Sequence, residues 1–112
     1  MGAKVNDRNS SGRTALHDTA LNGHDEVVRV LIDNGANFSA RDVLGKTALH
    51  KAAANGHETV VRLLIDKSAD IDAQDSFQRT ALYEATKNGR TAVAQMLLES
   101  GAKINALDGS KT

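Results

Sequence analysis

Apolar residues recur along the chain in three matching blocks: Val27-Val28 with Leu31-Ile32, Val60-Val61 with Leu64-Ile65, and Val93-Ala94 with Leu97-Leu98. The i, i+1, i+4, i+5 spacing puts each set of four on one helical face, so each block predicts an amphipathic helix. Acids stand in the first turn of two of them, Asp25-Glu26 and Glu58, where the macrodipole favours negative charge. Ahead of each block lies a shorter, alanine-rich segment opened by Thr14, Thr47 or Thr80. A threonine hydroxyl accepts a bond from an otherwise unpaired backbone N–H, so these three read as N-caps. Three residues on, His17 and His50 fill the slot used by the partner in a capping box. The short helices are predicted to stop at Asn22-Gly23, Asn55-Gly56 and Asn88-Gly89, where glycine supplies the left-handed turn. The longer ones close at Gly35 and Gly101, but at Ser68 in the middle block, which predicts a serine with positive φ.

Polar, turn-rich stretches separate the helix pairs: Asn9-Ser10-Ser11-Gly12, Asp42-Val43-Leu44-Gly45 and Asp75-Ser76-Phe77-Gln78. Short extended pieces such as Phe38-Ser39-Ala40 and Ile71-Asp72-Ala73 flank them, and together they predict hairpin-like loops. The whole arrangement repeats every 33 residues. Residues 9–41 and 42–74 share 17 identities in 33 positions, and 42–74 and 75–107 share 12. Unrelated segments would share roughly two. Helices of nine or ten residues are marginal alone, so each must hide its stripe against its neighbours, as in a stacked-repeat protein. Ala15, Ala20, Ala48, Ala52, Ala53, Ala81 and Ala85 keep the short helices narrow enough for layers to approach closely. The predicted fold class is an all-α repeat solenoid. Its divisions are a lead-in at 1–8, repeats at 9–41, 42–74 and 75–107, and a truncated fourth hairpin at 108–112.

The pattern Asp-x-x-Gly-x-Thr-Ala-Leu-His-x-x-Ala-x-Asn-Gly-His-x-x-x-Val-Val-x-x-Leu-Ile over residues 42–65 resembles the ankyrin repeat. The resemblance runs from Val5 to Asp108 in three registered units. It implies helix-turn-helix units joined by β-hairpin loops and stacked into a slightly curved solenoid. It also implies protein binding through the hairpin tips and the exposed face of the first helices. The sequence departs from the family pattern in several places. Ala15, Ala48 and Ala81 stand where proline is usual, Tyr83 replaces histidine, Thr19 and Thr86 replace interlayer alanines, and Ser68 replaces glycine.

Composition narrows the partners. Fourteen basic and fourteen acidic side chains cancel, so no general field attracts nucleic acid or anionic lipid. There is no cysteine, which removes disulfides and thiolate metal sites and fits a cytoplasmic or otherwise intracellular location. No apolar run approaches membrane-spanning length.

Candidate chemistry is sparse. His17 and His50, or His24 and His57, lie one repeat apart, roughly 10 Å at helix-packing distance. Two nitrogens on one zinc sit within about 4 Å, so no metal is expected and the histidines read as cap and loop residues. No phosphate-cradling loop, zincin helix or nucleophile elbow is present, and no cofactor or catalysis is expected. The sharper signal is apolar residues at positions that should be polar: Val43, Leu44 and Phe77 on two successive tips, and Leu21 at the end of the first short helix. By repeat register they share a surface with Arg13, Lys46, Arg79, Asn55, Lys87 and Asn88, an apolar centre with a basic and amide rim. The expected function is a non-catalytic protein-binding module whose partner has an acidic rim. Two readings compete with it. One is a structural piece of a longer array, self-associating weakly through end layers in which Met96, Leu97 and Leu98 are presented. The other, weaker one is nucleic-acid binding through Arg13, Lys46, Arg79 and Lys87.

Overall fold

A computed structural model describes residues 4–103. It contains α1 (Ala15–Leu21), α2 (Asp25–Asp33), α3 (Ala48–Ala54), α4 (Glu58–Asp66), α5 (Ala81–Lys87) and α6 (Thr91–Glu99). The first three residues and the predicted fourth hairpin at 108–112 lie outside the described residues.

Each pair begins as the threonines dictate. The hydroxyls of Thr14, Thr47 and Thr80 accept from the backbone N–H three residues on, at 3.3, 3.4 and 3.2 Å. In the first two, the histidine reciprocates: Thr14 N–H donates to Nδ1 of His17 at 3.0 Å, and Thr47 N–H to Nδ1 of His50 at 3.1 Å. Tyr83 has no ring nitrogen to offer, so α5 keeps only half of the box. Between the two helices of each pair the chain reverses through a positive-φ glycine. Gly23 shows why no side chain fits there, because a Cβ would come within 2.6 Å of Nδ1 of His57.

The helix pairs stack in three layers, α1/α2, α3/α4 and α5/α6. Small residues let them close: Ala20, Ala52, Ala53 and Ala85 are completely buried. Leu16, Val28, Val60, Val61, Leu64, Val93 and Leu97 fill the space between. Full burial of one such side chain stabilises by roughly 1.5–3 kcal/mol.

Position within the stack decides how much of each stripe is covered. Val60 and Leu63 are buried against α2, whereas their first-layer equivalents Val27 and Val30 are 46% and 58% exposed. The predicted stripe on α2 is therefore only partly inside. At the other end, Met96 and Leu97 are buried because they point back into the stack, and of the three residues expected to be presented only Leu98 is exposed.

Side chains also tie layer to layer through main-chain carbonyls. The Arg8 guanidinium donates to the Arg41 carbonyl at 3.0 Å, and Arg41 donates to that of Gln74. His17 Nε2 reaches the Lys46 carbonyl and His50 Nε2 the Arg79 carbonyl, both at 2.8 Å. On the far edge, His57 Nε2 donates to the Leu21 carbonyl at 2.8 Å and Arg90 Nε to that of Ala54 at 3.0 Å.

The loops are hairpin-like turns rather than ladders, and no strand forms among the described residues. Each turn is closed by two backbone bonds. The outer ones run from Asn9 N to Arg13 O, Asp42 N to Lys46 O and Asp75 N to Arg79 O, at 2.9, 3.0 and 2.9 Å. The inner ones run from Gly12 N to Asn9 O, Gly45 N to Asp42 O and Gln78 N to Asp75 O, at 2.9, 2.8 and 2.9 Å. Successive tips share a single bond, Val43 N to Ser11 O at 3.0 Å and Ser76 N to Leu44 O at 2.9 Å. One bond per tip fixes their order without making a sheet.

Candidate functional site

The tips are rigid because of their first residue. Oδ1 of Asp42 accepts from the N–H groups of Leu44 and Lys46, both at 2.9 Å. Oδ1 of Asp75 does the same for Phe77 and Arg79, at 2.8 and 2.9 Å. Asn9 organises the first tip in the same way. An Asp or Asn that bonds its own downstream backbone presets a turn. On this frame Val43, Leu44 and Phe77 stand 66%, 44% and 55% exposed. Leu44 and Phe77 are equivalent residues of adjacent layers, so the apolar strip runs across the boundary between layers two and three. In the first layer the same position is Ser11, and the strip ends there.

Beneath the strip lies a charged network. The Lys46 ammonium is 2.6 Å from Oδ2 of Asp75 and 2.9 Å from Oε2 of Glu84, both in the third layer. Lys51 Nζ is 2.8 Å from Oδ2 of Asp42. Burial opposes the charge on Lys46, but the bonds to Asp75 and Glu84 outweigh it and hold its pKa above the usual value. Burial likewise pushes Asp42 and Asp75 upward. Bonds from Lys51 to Asp42, from Lys46 to Asp75, and from the tip amides to both prevail, keeping both carboxyls below their ordinary value. Arg79 is placed differently. Its guanidinium carbon lies 5.3 Å from the centre of the Phe77 ring and 5.0 Å from that of Tyr83.

Two family models describing ankyrin repeats match the chain, one over residues 40–108 and the other over residues 2–52. The chain belongs to the ankyrin-repeat family. Ankyrin repeats are generally protein–protein interaction modules, and the three helix pairs, threonine caps and turn-like tips are that architecture. A comparison with curated proteins finds no match.

Within this ankyrin stack the sequence-predicted residues divide sharply. Val43, Leu44, Phe77 and Arg79 come together on the tips. Lys46, expected as a rim cation, is not one: its ammonium points inward and is answered by two carboxylates. Arg13 sits 3.7 Å from Asp18 of its own layer, and its Nε is buried with no partner among the described residues. The Asn55 amide donates to the Leu21 carbonyl at 2.9 Å, so both residues serve the joint between layers. The Asn88 amide caps its own helix at the Glu84 carbonyl. Lys87 is exposed beside it. Sequence reasoning missed Asp42, Asp75, Lys51 and Glu84. The acids at the head of two tips were a signal, since Asp at a turn start has a known role.

His17 and His50 are buried cap residues, as expected. A backbone N–H donates to Nδ1 and a carbonyl accepts from Nε2, which fixes the neutral Nε2–H form of each ring. Burial lowers both pKa values, and the bonds to the Lys46 and Arg79 carbonyls only partly offset it. Among the described residues no group of three or more His, Asp or Glu is placed to hold a metal ion, and no helix is long and apolar enough to cross a membrane.

Proposed function

We propose that this ankyrin stack binds a protein partner through the tip strip of Val43, Leu44 and Phe77, with Arg79 at its rim. The supporting observation is the exposure of three large apolar side chains on tips whose backbones are already fixed by Asp42, Asp75 and the tip-to-tip bonds. Such a surface loses little freedom on binding. About half of each side chain remains to be covered, which stabilises a complex by roughly 1 kcal/mol per residue before ordering costs. With Lys46 neutralised internally, the acidic character expected of the partner is directed at Arg79, with Lys87 further along. Leu21, Asn55 and Asn88 contribute position rather than contact.

The test is a quantitative pull-down from a cell lysate with the native chain and a Val43→Ser, Leu44→Ser, Phe77→Ser variant of matched helical content. A partner retained by the first and lost by the second supports the strip. Identical captures would remove it.

A second reading rests on Val27 and Val30, whose exposed apolar surface favours weak self-association through the outer layers. Light scattering then shows mass rising with concentration, reversed by Val27→Ser, Val30→Ser. A strict monomer up to millimolar concentration excludes it.

A further inference from the structure

Resting on the strip reading, we infer that Arg79 receives a single aspartate or glutamate side chain of the partner, beside an apolar side chain seated on Phe77. The repeat itself singles this residue out. Positions 13, 46 and 79 are equivalent, and all are cationic. Lys46 is held by two carboxylates at hydrogen-bonding distance, and Arg13 has Asp18 within 3.7 Å. Arg79 has no carboxylate partner and makes no side-chain hydrogen bond among the described residues. What holds it is the pair of rings, Phe77 and Tyr83, within about 6 Å of its charge, the range of a cation–π contact.

Rings engage the face of a guanidinium and leave its in-plane N–H groups to other acceptors. Those N–H groups form a fork that matches a carboxylate in two parallel bonds. Because the rings limit its rotamers, less freedom is lost when the fork is used. A doubly charged phosphate is a poorer match, since it calls for a cluster of cations and the neighbouring Lys46 is already neutralised. The geometry also sets the spacing. A guanidinium 5.3 Å from the Phe77 ring is matched by acidic and apolar residues about two apart on an extended segment, which rises about 3.3 Å per residue.

The test selects displayed random dodecapeptides against the full chain, then measures synthetic fluorescent copies of the enriched sequence by anisotropy. Enrichment of Asp or Glu at a fixed offset of about two from an aromatic or aliphatic residue is expected. Binding should fall by roughly tenfold or more on Arg79→Gln, as for loss of a charge-assisted bond. The peptide with Gln or Asn in place of its acid should bind native and Arg79→Gln chains equally weakly. If enriched peptides need Leu44 and Phe77 but show no acid preference, and Arg79→Gln binds them as the native chain does, the inference is wrong and the strip reading survives. A synthetic copy with phosphoserine in place of the acid that binds at least about tenfold more tightly than the acidic peptide, and loses that gain on Arg79→Gln, also overturns it. If no enriched peptide loses affinity on Leu44→Ser, Phe77→Ser, the strip reading fails and this inference with it. Within the folded chain the Arg79 side chain acts only through ring contacts, and its backbone bonds to Asp75 and His50 survive the substitution, so the variant should melt with the native chain.

Discussion

Gln78 and Ser68 hold φ values of 65° and 72°, in the left-handed region that costs a side chain energy. Ser68→Gly and Gln78→Gly are each expected to raise stability by up to about 1 kcal/mol, read as a higher urea midpoint at unchanged slope. Gly23→Ala should do the reverse by more than about 1 kcal/mol, because its Cβ meets the His57 ring as well as the wrong φ. Single residues were legible where the period supplied the comparison. Ser68 stands where two glycines stand in the neighbouring repeats, and its conformation follows. Gln78 stands in register with Gly12 and Gly45 and carried the same signal. Lys46 was not legible, because its partners lie 29 and 38 residues along the chain. Nothing local distinguishes a rim lysine from one that turns inward to meet them.

The short helices depend on their first turn. Thr47→Ala removes the hydroxyl that caps α3 and should cost about 1 kcal/mol by urea melt. Burial of His17 and His50, whose Nδ1 atoms accept the reciprocal bond from the threonine N–H, makes the caps sensitive to acid. Their folded-state pKa values lie below the ordinary 6.5, so between those values the unfolded chain binds more protons than the folded one. Stability is therefore present at neutral pH and declines as pH falls below about 6.5, by at most about 1.4 kcal/mol per histidine per pH unit. Urea melts across that range should show the decline, and His17→Gln, His50→Gln should flatten it, since glutamine serves in a capping box without titrating. The helices and their caps were readable in the sequence because threonine, histidine and glycine act within a few residues of themselves. The turn-like character of the loops was less so, because a strand ladder requires several bonds between tips and each pair forms one.

Between layers, the Lys46 pair with Asp75 and Glu84 is the feature with most at stake. Lys46→Met leaves two carboxylates without their cation, and a loss of about 3 kcal/mol is expected. Adding Asp75→Asn and Glu84→Gln should recover most of it, since an asparagine oxygen can still accept the two tip amides as Asn9 does in the first repeat. If the triple variant is as unstable as Lys46→Met alone in a urea melt, the loss comes from packing rather than from stranded charge. Which stripe residues are covered was likewise invisible in the sequence. The repeats spell nearly the same stripe three times, and only a neighbouring layer decides that Val60 is inside and Val27 outside.

The strip's location at the boundary of layers two and three has a consequence for motion. In a stack where each unit leans on its neighbours, opening begins at the outer units. Here α2 has one buried residue, Val28, against four on α4. Amide exchange should be fastest in α2 and slowest in α3 and α4. A ligand resting on Leu44 and Phe77 bridges the second and third units and leaves the first untouched. Its footprint would then appear as slowed exchange through α5 and α6, while α2 continues to open at its own rate.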